Sequence, residues 1–369
     1  MRIYMAPMEG ITGYIYRTTY DRYFSGVDKY FTPFIVPAIG RPLRGRELKD
    51  ILPENNNGMN VIPQLLTNDS EAFLKTARFL KGYGYDEVNL NLGCPSGTVV
   101  SKNRGSGQLY DTDKLDRFLY EIFAADVVKI SIKTRVGKES HSEWQDILDI
   151  YNKYPITELI VHPRIQKEYY KGRAAVEDYL YAQENYPGKL CYNGDINSVE
   201  DYQRLADTLG TQIVDDHTDD RSNTVDINNV VNKASNDKEL VVMLGRGLIA
   251  DPYLPRRLKK AEELREDKGL SPDGVLKAEN ILTSGKVVKD VKILKVFHDE
   301  LYDRYCSELG AGNTSFKMKE LWAYMGKLFD EGDSSRKALK KIMKARNENE
   351  YRVAVNALCD IKEKYAGIK

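Results

Sequence analysis

Apolar and polar positions alternate in short runs from the first residues to about residue 245. The runs fall at residues 2–7, 29–36, 60–66, 87–92, 128–135, 158–162, 189–193 and 240–244, and each has the length and period of one strand. Between most of them the apolar spacing is helical, at residues 70–82, 112–124, 143–153, 175–186 and 198–209. Strands alternating with helices imply a parallel sheet. Eight over this length predict an α/β chain closed into a (β/α)8 TIM barrel. The structural rival is an open doubly wound sheet, but no Gly-x-Gly-x-x-Gly opens the first helix.

Beyond residue 248 the strand pattern stops. From about residue 290 the spacing is helical with few Gly and Pro, which predicts a smaller all-α domain. The expected organisation is a catalytic barrel over residues 1–250, a linker over 251–285 and a helical domain over 286–369. Residues 210–239 fit no tidy barrel unit. They hold Asp215, Asp216, His217, Asp219 and Asp220. That cluster reads as a polar insertion or as an Asp/His metal site; lacking a strand end to fix ligands, it gives no metal expectation.

The chain has 369 residues, with 55 Lys and Arg against 55 Asp and Glu. A neutral balance argues against a general nucleic-acid coat protein. The charge is uneven, however: from Lys286 to Lys369 there are 18 basic and 13 acidic residues. Cys94, Cys191, Cys306 and Cys359 are scattered and form no Cys-x-x-Cys pair, so neither a zinc site nor a redox dithiol is indicated. No segment reads as a signal peptide or membrane span. The expectation is a cytoplasmic monomer in a reducing compartment.

Polar groups collect where the predicted strands end. These ends are Ala6-Pro7-Met8-Glu9-Gly10, Gln64, Asn91 through Cys94, Lys133-Thr134-Arg135, His162-Pro163-Arg164, Asn193-Gly194-Asp195 and Gly245-Arg246-Gly247. In a barrel of parallel strands all of them reach one mouth. The residue types suit a flavin. Lys133 can stabilise negative charge along the N1/C2 edge of an isoalloxazine, and Gln64 and His162 can hydrogen-bond the ring edge or ribityl chain. The glycine-bearing ends of the last two strands lie where barrels bind phosphate. Cys94, between Gly93 and Pro95, is either a small buried thiol or a reactive one.

These segments resemble the tRNA-dihydrouridine synthase family of flavoproteins. The resemblance is carried by Ala6-Pro7-Met8-Glu9-Gly10, Asn91-Leu92-Gly93-Cys94-Pro95-Ser96, Lys133-Thr134-Arg135-Val136-Gly137, Val161-His162-Pro163-Arg164, Asn193-Gly194-Asp195-Ile196 and Leu244-Gly245-Arg246-Gly247. The tail around Lys317-Met318-Lys319-Glu320-Leu321-Trp322 is similar to the family's RNA-binding domain. The resemblance implies that NADPH reduces FMN, that reduced FMN passes a hydride to C6 of a uridine in tRNA, and that Cys94 protonates C5 as general acid. FMN would be held by Pro7, Met8, Glu9, Gln64, Lys133, His162, Asn193, Gly194, Asp195, Gly245 and Arg246. Asn91, Arg135 and Arg164 would orient the uracil or nearby phosphates, and residues 97–107 would form a mobile loop. Lys337, Lys340, Lys341 and Lys344 recur on one helical face opposite Leu339, Ile342 and Met343, and would grip phosphate. The rival readings are a flavoenzyme for a free small pyrimidine or enone, which needs no basic tail, and a non-catalytic RNA-binding barrel, which needs no flavin.

Overall fold

A computed structural model describes residues 1–40, 42–215, 239–268, 287–329 and 332–368. Nine parallel strand segments follow the chain: β1 Arg2–Met5, β2 Lys29–Phe31, β3 Val61–Ile62, β4 Gln64–Leu65, β5 Glu87–Leu92, β6 Lys129–Gly137, β7 Leu159–Ile165, β8 Leu190–Tyr192 and β9 Val241–Leu244. Their order in the sheet is β3-β2-β1-β9-β8-β7-β6-β5-β4. The two ends of that order, β3 and β4, are halves of one stave divided by Pro63. Proline has no N–H to give a ladder, but its carbonyl still accepts from the Asn89 N–H at 2.8 Å. The sheet therefore closes into a barrel of eight staves, one at each predicted run.

The second run is shorter than its apolar pattern. Regular pairing stops at Phe31, ahead of Pro33, and resumes as a single bridge between Ile35 and Leu65. Helices cover the outside: α1 Tyr14–Tyr23, α2 Ser70–Gly82, α3 Thr112–Ala124, α4 Trp144–Tyr151, α5 Val176–Asn185, α6 Val199–Asp215 and the short α7 Arg246–Ala250. Asp69 and Asp111 cap α2 and α3 by accepting from Ala72 N–H and Lys114 N–H, which satisfies donors that the first helical turn leaves open. Inside the barrel, Tyr4, Phe31, Ile62, Ile160, Cys191 and Met243 are buried and pack together. Below them the Tyr4 hydroxyl and the Lys29 ammonium both meet the Glu158 carboxylate, at 2.8 and 3.0 Å.

The helix predicted at 198–209 runs on to Asp215; the rest of the Asp/His cluster lies outside the described residues, among which no three His, Cys, Asp or Glu side chains gather as metal ligands would. The span expected as a linker opens with a helix, α8 Leu254–Lys268. It buries Leu254, Leu258, Ala261 and Leu264, and its Glu262 accepts from the Tyr202 hydroxyl at 2.7 Å. The C-terminal helices are α9 Val287–Leu309, α10 Ala311–Met325, α11 Asp333–Lys344 and α12 Glu348–Ile368. No described helix is long and apolar enough to cross a membrane.

The C-terminal helices share the barrel's core. Phe297 of α9 meets Tyr16 and Phe24 edge-on, at 5.9 and 4.9 Å between ring centres. Arg304 donates to the Thr18 and Thr19 hydroxyls of α1 at 2.8 and 2.6 Å. Around α7, the glycine of the Gly-Arg-Gly run serves packing: a Cβ on Gly247 would stand 2.2 Å from the Ile196 carbonyl oxygen. Backbone cannot give way there, so Gly247→Ala is expected to destabilise the fold by about 1–3 kcal/mol, read as a lower denaturant midpoint at unchanged slope.

Candidate active site at the barrel mouth

The β5 strand ends in a turn built by its own polar residue. The buried Asn91 carboxamide accepts from the Gly93 and Cys94 N–H groups, at 3.1 and 2.9 Å. Its amide group donates to Gln64 Oε1 at 2.8 Å. Gln64 in turn donates to Asn89 at 2.8 Å, and Asn89 to Ser131 at 3.0 Å. This ladder joins β4, β5 and β6 across the barrel interior and fixes the turn that carries Cys94. The turn is held from above as well. Ser106 donates its N–H and its hydroxyl to the Cys94 carbonyl, at 3.1 and 2.8 Å. Gly105 makes that approach possible: its φ is +57°, and a Cβ would lie 2.8 Å from the same carbonyl oxygen.

Residues 97–107 are thus only partly a free loop. Gly97–Val100 is a short helical turn with exposed neighbours, whereas Gly105–Leu109 is buried against the barrel. The Cys94 thiol is half-buried. Burial pushes its pKa up, against the Ser96 backbone N–H and the charges of Arg135 and Lys133. At neutral pH it is a thiol.

Lys133 lies beside it. The pairing of Asn91 with Lys133 across β5 and β6 puts the lysine one register step from the Cys94 turn. Among the described residues its ammonium has no hydrogen-bond or ion-pair partner. Desolvation, and then the charge of Arg135, lower its pKa to about 8. His162 on β7 is buried, and burial with the surrounding cations of Lys133, Arg135, Arg164 and Arg246 drives its pKa well below the usual value. It stands neutral there. A desolvated cation without a counter-charge is costly, and the acceptor edge of a flavin ring would answer it. The residues present fit that group.

Several predicted ligands are spent within the protein. Arg135 is buried and donates to the carbonyls of Gly93, Ile165 and Tyr169, at 3.0, 2.9 and 2.7 Å. Arg164 is buried too. It reaches the His162 ring at 3.2 Å and the Asp195 carboxylate, and donates to the Gly172 carbonyl at 2.7 Å. Asp195 also accepts from Arg246 at 3.1 Å. Two guanidiniums on one carboxylate leave a net positive corner beside Gly194 and Gly245, suited to a phosphate. Asn193 donates to the Met243 carbonyl at 2.8 Å, locking β8 to β9. Pro7 and Met8 are half-buried at the end of β1, with the Met8 sulfur beside Gly245. Glu9 is exposed and paired with Arg46 at 2.6 Å. Lys337, Lys340, Lys341 and Lys344 stand on α11, outside the barrel strands.

Tyr170 escaped the sequence reading. It is exposed over the positive corner, with the Arg246 guanidinium 4.5 Å and the Arg135 guanidinium 5.6 Å from its ring centre and the His162 ring at 6.0 Å. Its neighbour Tyr169 has φ +52°, a strained conformation for a side-chain-bearing residue. The only sequence signal is the adjacent tyrosine pair that follows His162-Pro163-Arg164.

Known proteins resemble this chain over the same region. Residues 4–214 match the family model described as Dihydrouridine synthase (Dus). The tRNA-dihydrouridine(16) synthase of Aquipseudomonas alcaligenes is 26% identical over 279 residues, covering 73% of this chain and 79% of that one. The tRNA-dihydrouridine synthase B of Pasteurella multocida is 23% identical over 263 residues, covering 71% and 70%. Among solved structures, DHODH in complex with ferulenol from Eimeria tenella superimposes with a TM-score of 0.45 at 11% identity, over 74% of this chain and 84% of that one, a likeness too loose to decide function.

The titration of Lys133 gives a test. Its ammonium is charged below pH about 8 and neutral above. Flavin affinity of the flavin-free protein should hold on the acid side and fall as pH rises through about 8. Lys133→Gln should bind weakly throughout, without that decline. Quenching of flavin fluorescence reads both, and a wild-type affinity that stays flat across pH about 8 would count against the assignment.

Proposed function

The chain belongs to the dihydrouridine synthase family and is a flavin-dependent oxidoreductase; on that premise we propose that it reduces the C5–C6 double bond of a uridine in tRNA, with FMN at the barrel mouth and NADPH as reductant. The observation that carries this reading is the pairing at the mouth of a protonated thiol, Cys94, with an unpartnered cation, Lys133.

When bound, reduced FMN supplies a hydride to C6 of the uracil. Lys133 would hold the acceptor edge of the flavin ring, with neutral His162 beside it as a hydrogen-bonding partner. Gln64, Asn193 and the Pro7-Met8-Glu9 segment would shape the pocket around the ring. Arg246 and Arg164, balanced only by Asp195, would receive the phosphate beside Gly194 and Gly245. Cys94 donates its proton to C5, where the electron pair displaced by hydride addition collects. The S–H bond breaks as the C5–H bond forms, and the thiolate regains a proton from solvent. A raised thiol pKa suits this task, because the acid form persists through neutral pH. Asn91 and Arg135 act through Cys94: one accepts the N–H groups of its turn and the other grips the Gly93 carbonyl, so both are positioning residues. Arg164 positions His162 and Asp195 in the same way.

The helical tail would supply the grip on RNA, so residues 1–250 act as the catalytic part and 286–369 as the RNA-binding part, with α8 in the span between them. Lys337, Lys340, Lys341 and Lys344 are exposed on α11 and have no ion-pair partner among the described residues, while Ala338 and Ile342 turn inward. Met343, expected on the apolar side, is exposed. A uridine inside folded tRNA must leave its stack to reach Cys94, and phosphate contacts outside the barrel can stabilise the complex that does so.

Two outcomes follow. Cys94→Ala should keep FMN and tRNA binding yet form dihydrouridine about 10²–10⁴-fold more slowly, measured by nucleoside mass spectrometry; full turnover would remove the thiol from the mechanism. Reversing charge at Lys340, Lys341 and Lys344 should weaken tRNA binding and flatten its salt dependence. If that variant binds tRNA normally, and free uridine is reduced as fast as tRNA, the small-pyrimidine reading replaces this one.

A further inference from the structure

Helices α10 and α11 run antiparallel, a register set by two contacts. A Cβ on Gly326, just past α10, would stand 3.3 Å from the Leu339 side chain, and the Lys319 ammonium donates to the Ala345 carbonyl at 2.5 Å. Going back along α10 from Lys319 therefore leads past the C-terminal end of α11. There stands Phe316, which is 71% exposed, more than any other large apolar side chain among the described residues. The residue is one turn from Lys319, whose ammonium lies 5.3 Å from the Phe316 ring centre.

The surroundings are basic. Lys344 and Arg346 are exposed on either side of Ala345, and neither side chain has an ion-pair partner among the described residues. The nearby carboxylates are engaged: Glu320 with Lys317 at 2.8 Å, Glu348 with Arg352 at 2.8 Å, and Glu350 with the Arg346 N–H at 2.9 Å and the Asn347 amide at 3.0 Å. A single exposed apolar residue is ordinary on a protein surface. An exposed ring held under a fixed ammonium and bordered by unpaired cations is the combination that binds unpaired nucleotides, the ring taking a base and the cations the backbone.

We infer that Phe316 is a stacking platform for one unpaired base of the RNA substrate, with Lys319, Lys344 and Arg346 holding the adjacent phosphates. This rests on the tRNA reading above and adds a second contact of a different kind. The lysine face of α11 reads backbone charge alone, whereas Phe316 requires a base free of its pairing partner. It supplies a fixed point on the RNA, on a different element from Cys94, from which the uridine offered to the thiol is measured.

Binding of an unmodified tRNA transcript and of a blunt RNA duplex tests this, each titrated against the FMN-loaded full chain at several salt concentrations. Phe316→Ala should bind the transcript about 5- to 150-fold more weakly at unchanged salt slope and unchanged thermal midpoint, and should bind the duplex like wild type. Phe316→Trp should restore affinity for the transcript. Normal transcript binding by Phe316→Ala, alongside weakened binding by the Lys340, Lys341 and Lys344 charge-reversal variant, overturns the platform and leaves the tRNA reading standing. Equal losses on transcript and duplex also overturn it, because a duplex offers no free base. A wild-type chain that does not bind the transcript overturns both.

Discussion

The reactive end of this protein depends on one carboxamide. Asn91 takes two backbone N–H groups of the turn that follows β5 and gives its own N–H to Gln64 on the stave divided by Pro63. That stave is where the sheet closes. Barrel closure and thiol placement are therefore one event. A buried carboxamide with both ends satisfied is rigid, since an alternative orientation would leave polar atoms unpaired in a dry interior. Arg135 reinforces the turn from the opposite side through the Gly93 carbonyl and ties it to Ile165 and Tyr169 at the exit of β7. Cys94 is suspended between these two anchors.

Electrostatics inside the mouth follow from the same crowding. Lys133, Arg135, Arg164 and Arg246 converge on one side of the barrel, and Asp195 is the carboxylate that meets two of them. The nearby groups that can lose charge are driven to do so. His162 becomes neutral, and Lys133 is brought to the edge of deprotonation. Cys94, desolvated in the same mouth, keeps its proton because burial outweighs the neighbouring positive charge. The protein thus keeps a proton on the thiol while its positive charges remain available to an anionic guest.

The barrel was legible in the sequence because each stave carries one short strand-period run, in most cases separated from the next by helical spacing. The pause at Pro63 and the early end of β2 before Pro33 were not, since alternation records where side chains point and ignores missing donors. Which polar residues gather at the mouth was legible from the strand ends, whereas the partners each one meets were not. Arg135 and Arg164 look like substrate ligands at strand ends, but which acceptors a guanidinium meets depends on how the following segments fold back over the mouth. Here Arg135 meets the carbonyls of Ile165, at the end of β7, and of Tyr169, and Arg164 meets that of Gly172. Tyr170 was missed because exposure over a pocket leaves no periodic trace. Helix α8 was hidden by its charge: Leu254–Lys268 carries so many Lys, Arg and Glu that the buried Leu254, Leu258, Ala261 and Leu264 do not stand out from the span expected as a linker.

The shared core of barrel and tail has a bearing on how the chain is made. Phe297 and Arg304 cover α1, a helix at the opposite end of the sequence; Arg304 and Thr18 are 286 residues apart. During synthesis the aromatic face of α1, with Tyr16, Tyr20 and Phe24, leaves the ribosome long before its cover does. Contacts of such separation form late and slowly, and an uncovered aromatic surface invites association with other chains meanwhile. The barrel is thus a nascent structure with an open flank until its last helices arrive, and the C-terminal helices complete the fold as much as they extend it.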